Sequence, residues 1–91
     1  MIISYKIYGI YDKKTRDIIY VGKTSQNLHL RWVSHRCATR MGVYKYMMEN
    51  GGTAAYFIDV IHHVKTRQEA DEWERHFIQE MEPQCNRYLM S

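Results

Sequence analysis

Residues 8–23 read YGIYDKKTRDIIYVGK, and this stretch decides the fold. Isoleucine, valine and tyrosine favour extended chain, and the DKKTRD between the apolar runs is turn chemistry. Strands are therefore expected over residues 3–11 and 17–23. A loop this short makes them antiparallel neighbours. Each strand also sets a tyrosine beside a glycine: Gly9 with Tyr11, and Tyr20 with Gly22. Alternate residues share a strand face, so each glycine leaves room beside a phenol. The plain reading of these pairs is cross-strand packing, or a bulge at the glycine. The chemical reading is two phenols with space for a ligand. Lys23, at the end of the second strand, would then reach a phosphate or depress a phenol's pKa.

Outward from the hairpin, Ser25 is a candidate cap for a helix running to about residue 37. A second helix is expected over residues 41–49, ended by Asn50-Gly51-Gly52, where glycine accepts a left-handed conformation. Residues 56–61, YFIDVI, read as a third strand. Thr66-Arg67-Gln68-Glu69 is a capping box, and the helix it opens runs to about Met81, before Pro83. The order is strand, strand, helix, helix, strand, helix. That is a small mixed α/β domain, one unit over residues 1–91, with a three-stranded sheet covered by helices.

Composition narrows the class. With 45% hydrophobic residues in 91, the chain is that of a folded domain with a modest core. No apolar run approaches the ~20 residues of a membrane span, and the first residues lack a signal-peptide pattern. Cys37 and Cys85 form no disulfide framework and no zinc spacing, so free thiols in an intracellular, reducing compartment are expected. The net charge of +3 is unevenly spread: residues 1–45 carry +7 and residues 46–91 carry −4. Such asymmetry suits a face for a polyanion, although ordinary surface solvation gives the same count. Lys13, Lys14, Arg16, Lys23, Arg36 and Arg40 are candidates for phosphate contact, the first three also being what a solvated turn looks like.

Two helices carry polar residues on apolar arcs. On the last helix Glu74 falls among Ala70, Trp73, Phe77, Ile78 and Met81, while the other acids fall outside. A carboxylate there must be paired, protonated or bound to a metal. On the first helix Leu28, Arg31, Trp32 and His35 share one face. A Glu74–Arg31 ion pair with His35 packed in the core is one reading. A guanidinium for a phosphate, with an imidazole for proton handling, is the other. His62-His63 read as strand-end residues facing opposite ways, and Met47-Met48 as core filling.

Gly9-Ile10-Tyr11 followed by Tyr20-Val21-Gly22 resembles the signature of the GIY-YIG nuclease superfamily. Arg31 in LRWVSH, His35 one turn later, Glu74 in EWERHFI and Asn86 after Pro83 resemble the family's further motif residues in order, across almost the whole chain. The resemblance implies an α+β fold with a three-stranded antiparallel sheet flanked by helices. It implies an endonuclease that hydrolyses phosphodiester bonds in DNA, RNA not being excluded, with one Mg2+ or Mn2+ per site. Tyr11 would act on the attacking water, and Tyr20 on the nucleophile or the scissile phosphate. Arg31 would stabilise phosphate charge, His35 would support proton transfer, and Glu74 would ligate the metal. Asn86 would complete the catalytic set. Gly9, Gly22, Lys23, Arg36 and Arg40 would face the substrate. The chain spans only a catalytic module, so low sequence specificity is expected, or specificity supplied by DNA structure, a homodimer or a partner protein. The competing expectations are a nucleic-acid-binding module of the same fold without cleavage, and a protein-interaction domain.

Overall fold

The computed structural model describes residues 4–37 and 42–86. Strands β1 (Tyr5–Asp12) and β2 (Ile18–Thr24) form the expected hairpin. Helices α1 (Leu28–Cys37) and α2 (Gly42–Glu49) follow, then β3 (Tyr56–Val64) and α3 (Arg67–Met81). The sheet is antiparallel, in the order β2-β1-β3. The chain is therefore α+β with the element order read from the sequence.

Local chemistry accounts for the boundaries. Asp12 closes the hairpin loop: its Oδ1 accepts from the backbone N–H of Lys14 and Thr15, and Arg16 turns the chain in a left-handed conformation. The first helix is capped by Asn27, not Ser25: Asn27 Oδ1 accepts from His29 N at 2.8 Å. Asn27 directly precedes Leu28, so only its side chain is placed for the first turn's free N–H groups. Gly51 and Gly52 leave α2 with positive φ, and Gly52 N–H donates to Met47 O. β3 runs three residues past the expected end and takes in His62 and His63. Thr66 caps α3 by accepting from Glu69 N, and its hydroxyl also meets the Glu69 carboxylate at 3.3 Å.

Two small cores lie on the two faces of the sheet. On one, Tyr8, Ile10 and Tyr20 pack with Val43 and Met47 of α2 and with Leu28 and Trp32 of α1. On the other, Ile7, Val21 and Val64 pack with Ala70, Phe77 and Ile78 of α3. Fully burying an aliphatic side chain contributes roughly 1.5–3 kcal/mol, so residues such as Ile7 and Ile10 carry much of the stability. Of the paired methionines, Met47 is buried but Met48 is exposed. Trp73 and Met81, expected in the core, are more than a third exposed. The apolar arc of α3 is wider than the strip it buries against a three-stranded sheet.

One irregularity governs the hairpin. Ile10 pairs with Tyr20 but Tyr11 pairs with Ile18, which leaves Ile19 as an extra residue in β2. A bulge of one residue changes which side chains of the two strands share a face. The carbonyl of Ile19 is satisfied by the N–H of Cys85 at 2.7 Å.

Candidate active site

The bulge places Tyr20 opposite Ile10 and Gly22 opposite Tyr8. Tyr8, Tyr20 and Gly22 therefore share the face covered by α1 and α2. A Cβ on Gly22 would lie 2.5 Å from the Tyr8 hydroxyl and 2.9 Å from the Tyr20 ring. The glycine is thus what lets the two phenols lie side by side, with ring centroids 6.2 Å apart.

Helix α1 brings Arg31 and His35 onto the same phenol. Arg31 Nε donates to the Tyr8 hydroxyl at 3.0 Å, and His35 Nε2 lies 2.7 Å from the same oxygen. Arg31 can only donate, so the Tyr8 oxygen accepts from it. His35 accepts the Tyr8 proton at Nε2 or donates from it, according to its tautomer. Its other nitrogen, Nδ1, is buried without a partner among the described residues. Burial, and next the Arg31 charge, hold the His35 pKa down to about 4, so the ring is neutral near pH 7. Burial, and next Tyr20, push the Tyr8 hydroxyl well above the usual phenol range, against the pull of Arg31. Tyr20 is raised by burial and then by the charge of Glu74.

Glu74 comes from α3, on the other side of the sheet. Its Oε1 lies 3.4 Å from Lys23 Nζ, which also pairs with Asp71. Arg31 is not its ion-pair partner among the described residues, although its charge acts on Arg31, Tyr8 and Tyr20. Lys23 joins two hollows. One, of about 440 Å³, includes Arg31 in its wall, and the other, of about 210 Å³, includes Glu74 and Asp71.

The family model for the GIY-YIG catalytic domain matches residues 4–88. This chain belongs to the GIY-YIG family. Membership implies a nuclease-type function, and nucleic acid as its substrate. No curated protein and no solved structure matches the chain.

Set against the GIY-YIG expectations, Tyr20, Arg31 and His35 gather at Tyr8, while Glu74 meets Lys23 and acts on Tyr8, Tyr20 and Arg31 through its charge. Tyr11 does not join them. It lies on the opposite face from Tyr8 and stacks on Phe57, with centroids 5.2 Å apart. Its place beside Tyr20 is taken by Tyr8, which the sequence reading passed over. Lys6-Ile7-Tyr8, three residues before Gly9-Ile10-Tyr11, has the same Ile-Tyr ending. Gly9 also faces away from the phenol pair, and a Cβ there would meet Ile18 and the Tyr11 ring.

Asn86 is buried and holds the free edge of β2. Its Oδ1 accepts from Val21 N at 2.7 Å, and its Nδ2 donates to Val21 O at 2.9 Å. With both ends of the amide bound to backbone, it fixes the YVG strand and the bulge beside it. Arg36 is exposed and lies over the Trp32 ring, 5.9 Å from its centroid. Arg40 lies outside the described residues. His62 faces α3 and meets Trp73 at 4.6 Å, so it does pack, while His63 is exposed. No described helix is long and apolar enough to cross a membrane.

Proposed function

We propose that this domain is a divalent-metal-dependent endonuclease acting on phosphodiester bonds in DNA, with Tyr8 rather than Tyr11 as the phenol at the reacting centre. The observation that carries this reading is the Tyr8 oxygen, held between a guanidinium that only donates and a neutral imidazole that can take a proton.

Tyr8 gives its hydroxyl proton to Nε2 of His35 and takes one from the attacking water, so that the water becomes the nucleophile and the phenol is restored. In the free protein that proton stays on Tyr8, because burial weakens the phenol as an acid and the imidazole as a base. A phosphate beside Arg31 offsets the charge that helps depress His35, which makes the imidazole more basic when substrate is present. The amino groups of Arg31 not used by Tyr8 suit the phosphate oxygens. Tyr20 donates to the nucleophile or to a phosphate oxygen. Asn86 keeps the strand that carries Tyr20 in register.

The donors fit a magnesium-type ion. Glu74 is a half-buried carboxylate, and no group of three His, Cys, Asp or Glu ligands is gathered among the described residues. Mg2+ is commonly held by one or two carboxylates, with water and phosphate oxygens completing its shell. Glu74 would hold it, once Lys23 gives up that carboxylate. When bound, the ion supplies Lewis-acid stabilisation of the leaving oxygen. Specificity would come from DNA structure, a second copy or a partner, because phosphate contacts read no sequence.

Plasmid nicking with Mg2+ or Mn2+, with and without chelator, tests the reading. Nicking should need the metal and should be lost in Glu74→Ala and Arg31→Ala, with DNA binding retained. Equal traces of cleavage in the wild type and both variants would leave a binding module.

A further inference from the structure

The hollow beside Arg31 is larger than one phosphate needs. It encloses about 440 Å³ and draws its wall from every layer of the fold: Tyr5 from β1, Lys23 from β2, Ser25 and Gln26 from the following turn, Arg31 from α1 and Arg67 from α3. Three cations from three different elements, Lys23, Arg31 and Arg67, line it, and no carboxylate shares the wall. Lys23 is turned to Asp71 and Glu74, and Arg31 gives its Nε to Tyr8. Arg67 is different. It is exposed and makes no hydrogen bond or salt bridge among the described residues, and its charge acts on Asp71. It is also the first residue of α3, where the helix dipole disfavours a cation. Such a placement contributes little to folding. A polar hollow ringed by cations focuses positive potential and attracts an anion.

We propose that this hollow binds a second phosphate of the polynucleotide, the neighbour of the one that reacts at Arg31, and that Arg67 is its main charged contact. Ser25 and Gln26, exposed at the mouth, offer neutral donors to the same phosphate. The inference rests on the phosphodiesterase reading above and deepens it: substrate would be gripped at two adjacent phosphates, one for reaction and one for register. Arg67 would therefore govern binding rather than the chemical step.

The test is binding of a fluorescein-labelled duplex DNA oligonucleotide, followed by anisotropy with chelator present over a salt series. It is paired with nicking kinetics with Mg2+. Arg67→Gln removes an exposed side chain, and Lys45→Gln, an exposed cation on α2, controls for lost net charge. Arg67→Gln should weaken binding about 5–10-fold at low salt and reduce the salt slope by about one phosphate contact, while Lys45→Gln changes little. In nicking, KM should rise with kcat near wild type. An unchanged affinity and slope in Arg67→Gln, with the wild type nicking normally, would overturn the second phosphate site and leave the endonuclease reading standing. Equal losses in both variants, or a fall in kcat with KM unchanged, would also overturn it. Arg67-dependent binding by a wild type that never nicks would keep the phosphate site and remove the endonuclease reading.

Discussion

The Tyr8 hydroxyl lies 2.7 Å from Nε2 of His35, and both side chains are almost wholly buried. Two polar groups held this closely in a core satisfy each other's hydrogen-bonding capacity at these atoms, which makes the contact costly to break. The pair separates the roles of the tyrosines. Tyr8→Phe removes the oxygen on which Arg31 and His35 converge, and nicking of plasmid DNA should fall at least 100-fold, the scale of general acid–base loss. Tyr11→Phe, on the opposite face, should nick within about threefold of wild type. The reverse pattern would return the reaction to Tyr11.

Gly22 and Gly9 make a second contrast. A methyl on Gly22 runs into the Tyr8 hydroxyl and the Tyr20 ring, both held in place by packing. Gly22→Ala should cost about 1–3 kcal/mol of stability, as overpacking does, and most of the nicking activity. At Gly9 the closest atom, at 2.7 Å, is the mobile end of the Ile18 side chain. Gly9→Ala should fold and nick much more like wild type. Chemical denaturation and nicking of both variants check this; equal damage at the two glycines would mean that the phenols are not what Gly22 accommodates.

His35 links the site to acid stability. Its folded pKa is about 4, against about 6.5 when unfolded. Between these values the unfolded chain binds more protons, so stability rises with pH. The contribution is whole above about pH 6.5 and is lost as pH falls through 4, about 3 kcal/mol in all. Urea unfolding between pH 4 and 7 should show a steeper pH dependence in wild type than in His35→Gln. Parallel curves would mean that the imidazole is not neutral and buried as described.

Asn86 should act on stability more than on chemistry. Asn86→Ala leaves the N–H and C=O of Val21 without their partners on the edge of β2, at about 2–4 kcal/mol. Asn86→Asp keeps an acceptor but sets an oxygen against the Val21 carbonyl, and should not rescue. Thermal unfolding reads both. An Asn86→Ala protein as stable as wild type, yet inactive, would place Asn86 on the substrate instead.

Much of this protein is legible along its chain. The turn in DKKTRD, the Thr66 capping box, the Gly51-Gly52 exit and the shared face of Arg31 and His35 are local features, decided within a few residues by backbone preference and helical period. They yield the element order, the α+β class and two of the residues around the phenol pair, Arg31 and His35. The partner of Tyr20 is a different kind of fact. In a regular hairpin with Tyr11 opposite Ile18, Tyr20 would face Gly9 and share a face with Tyr11. The extra residue Ile19 reverses that parity and brings Tyr20 to Tyr8. The bulge is held by Cys85 and Asn86, more than sixty residues away, whose contacts no local pattern announces. Lys23 was likewise readable as a phosphate-reaching cation, but its hold on Asp71 and Glu74 exists only because α3 packs beside β2. Short-range sterics and periodicity shaped the elements. Which phenol lies beside Tyr20 was decided by one unpaired strand residue and the distant segment that pins it.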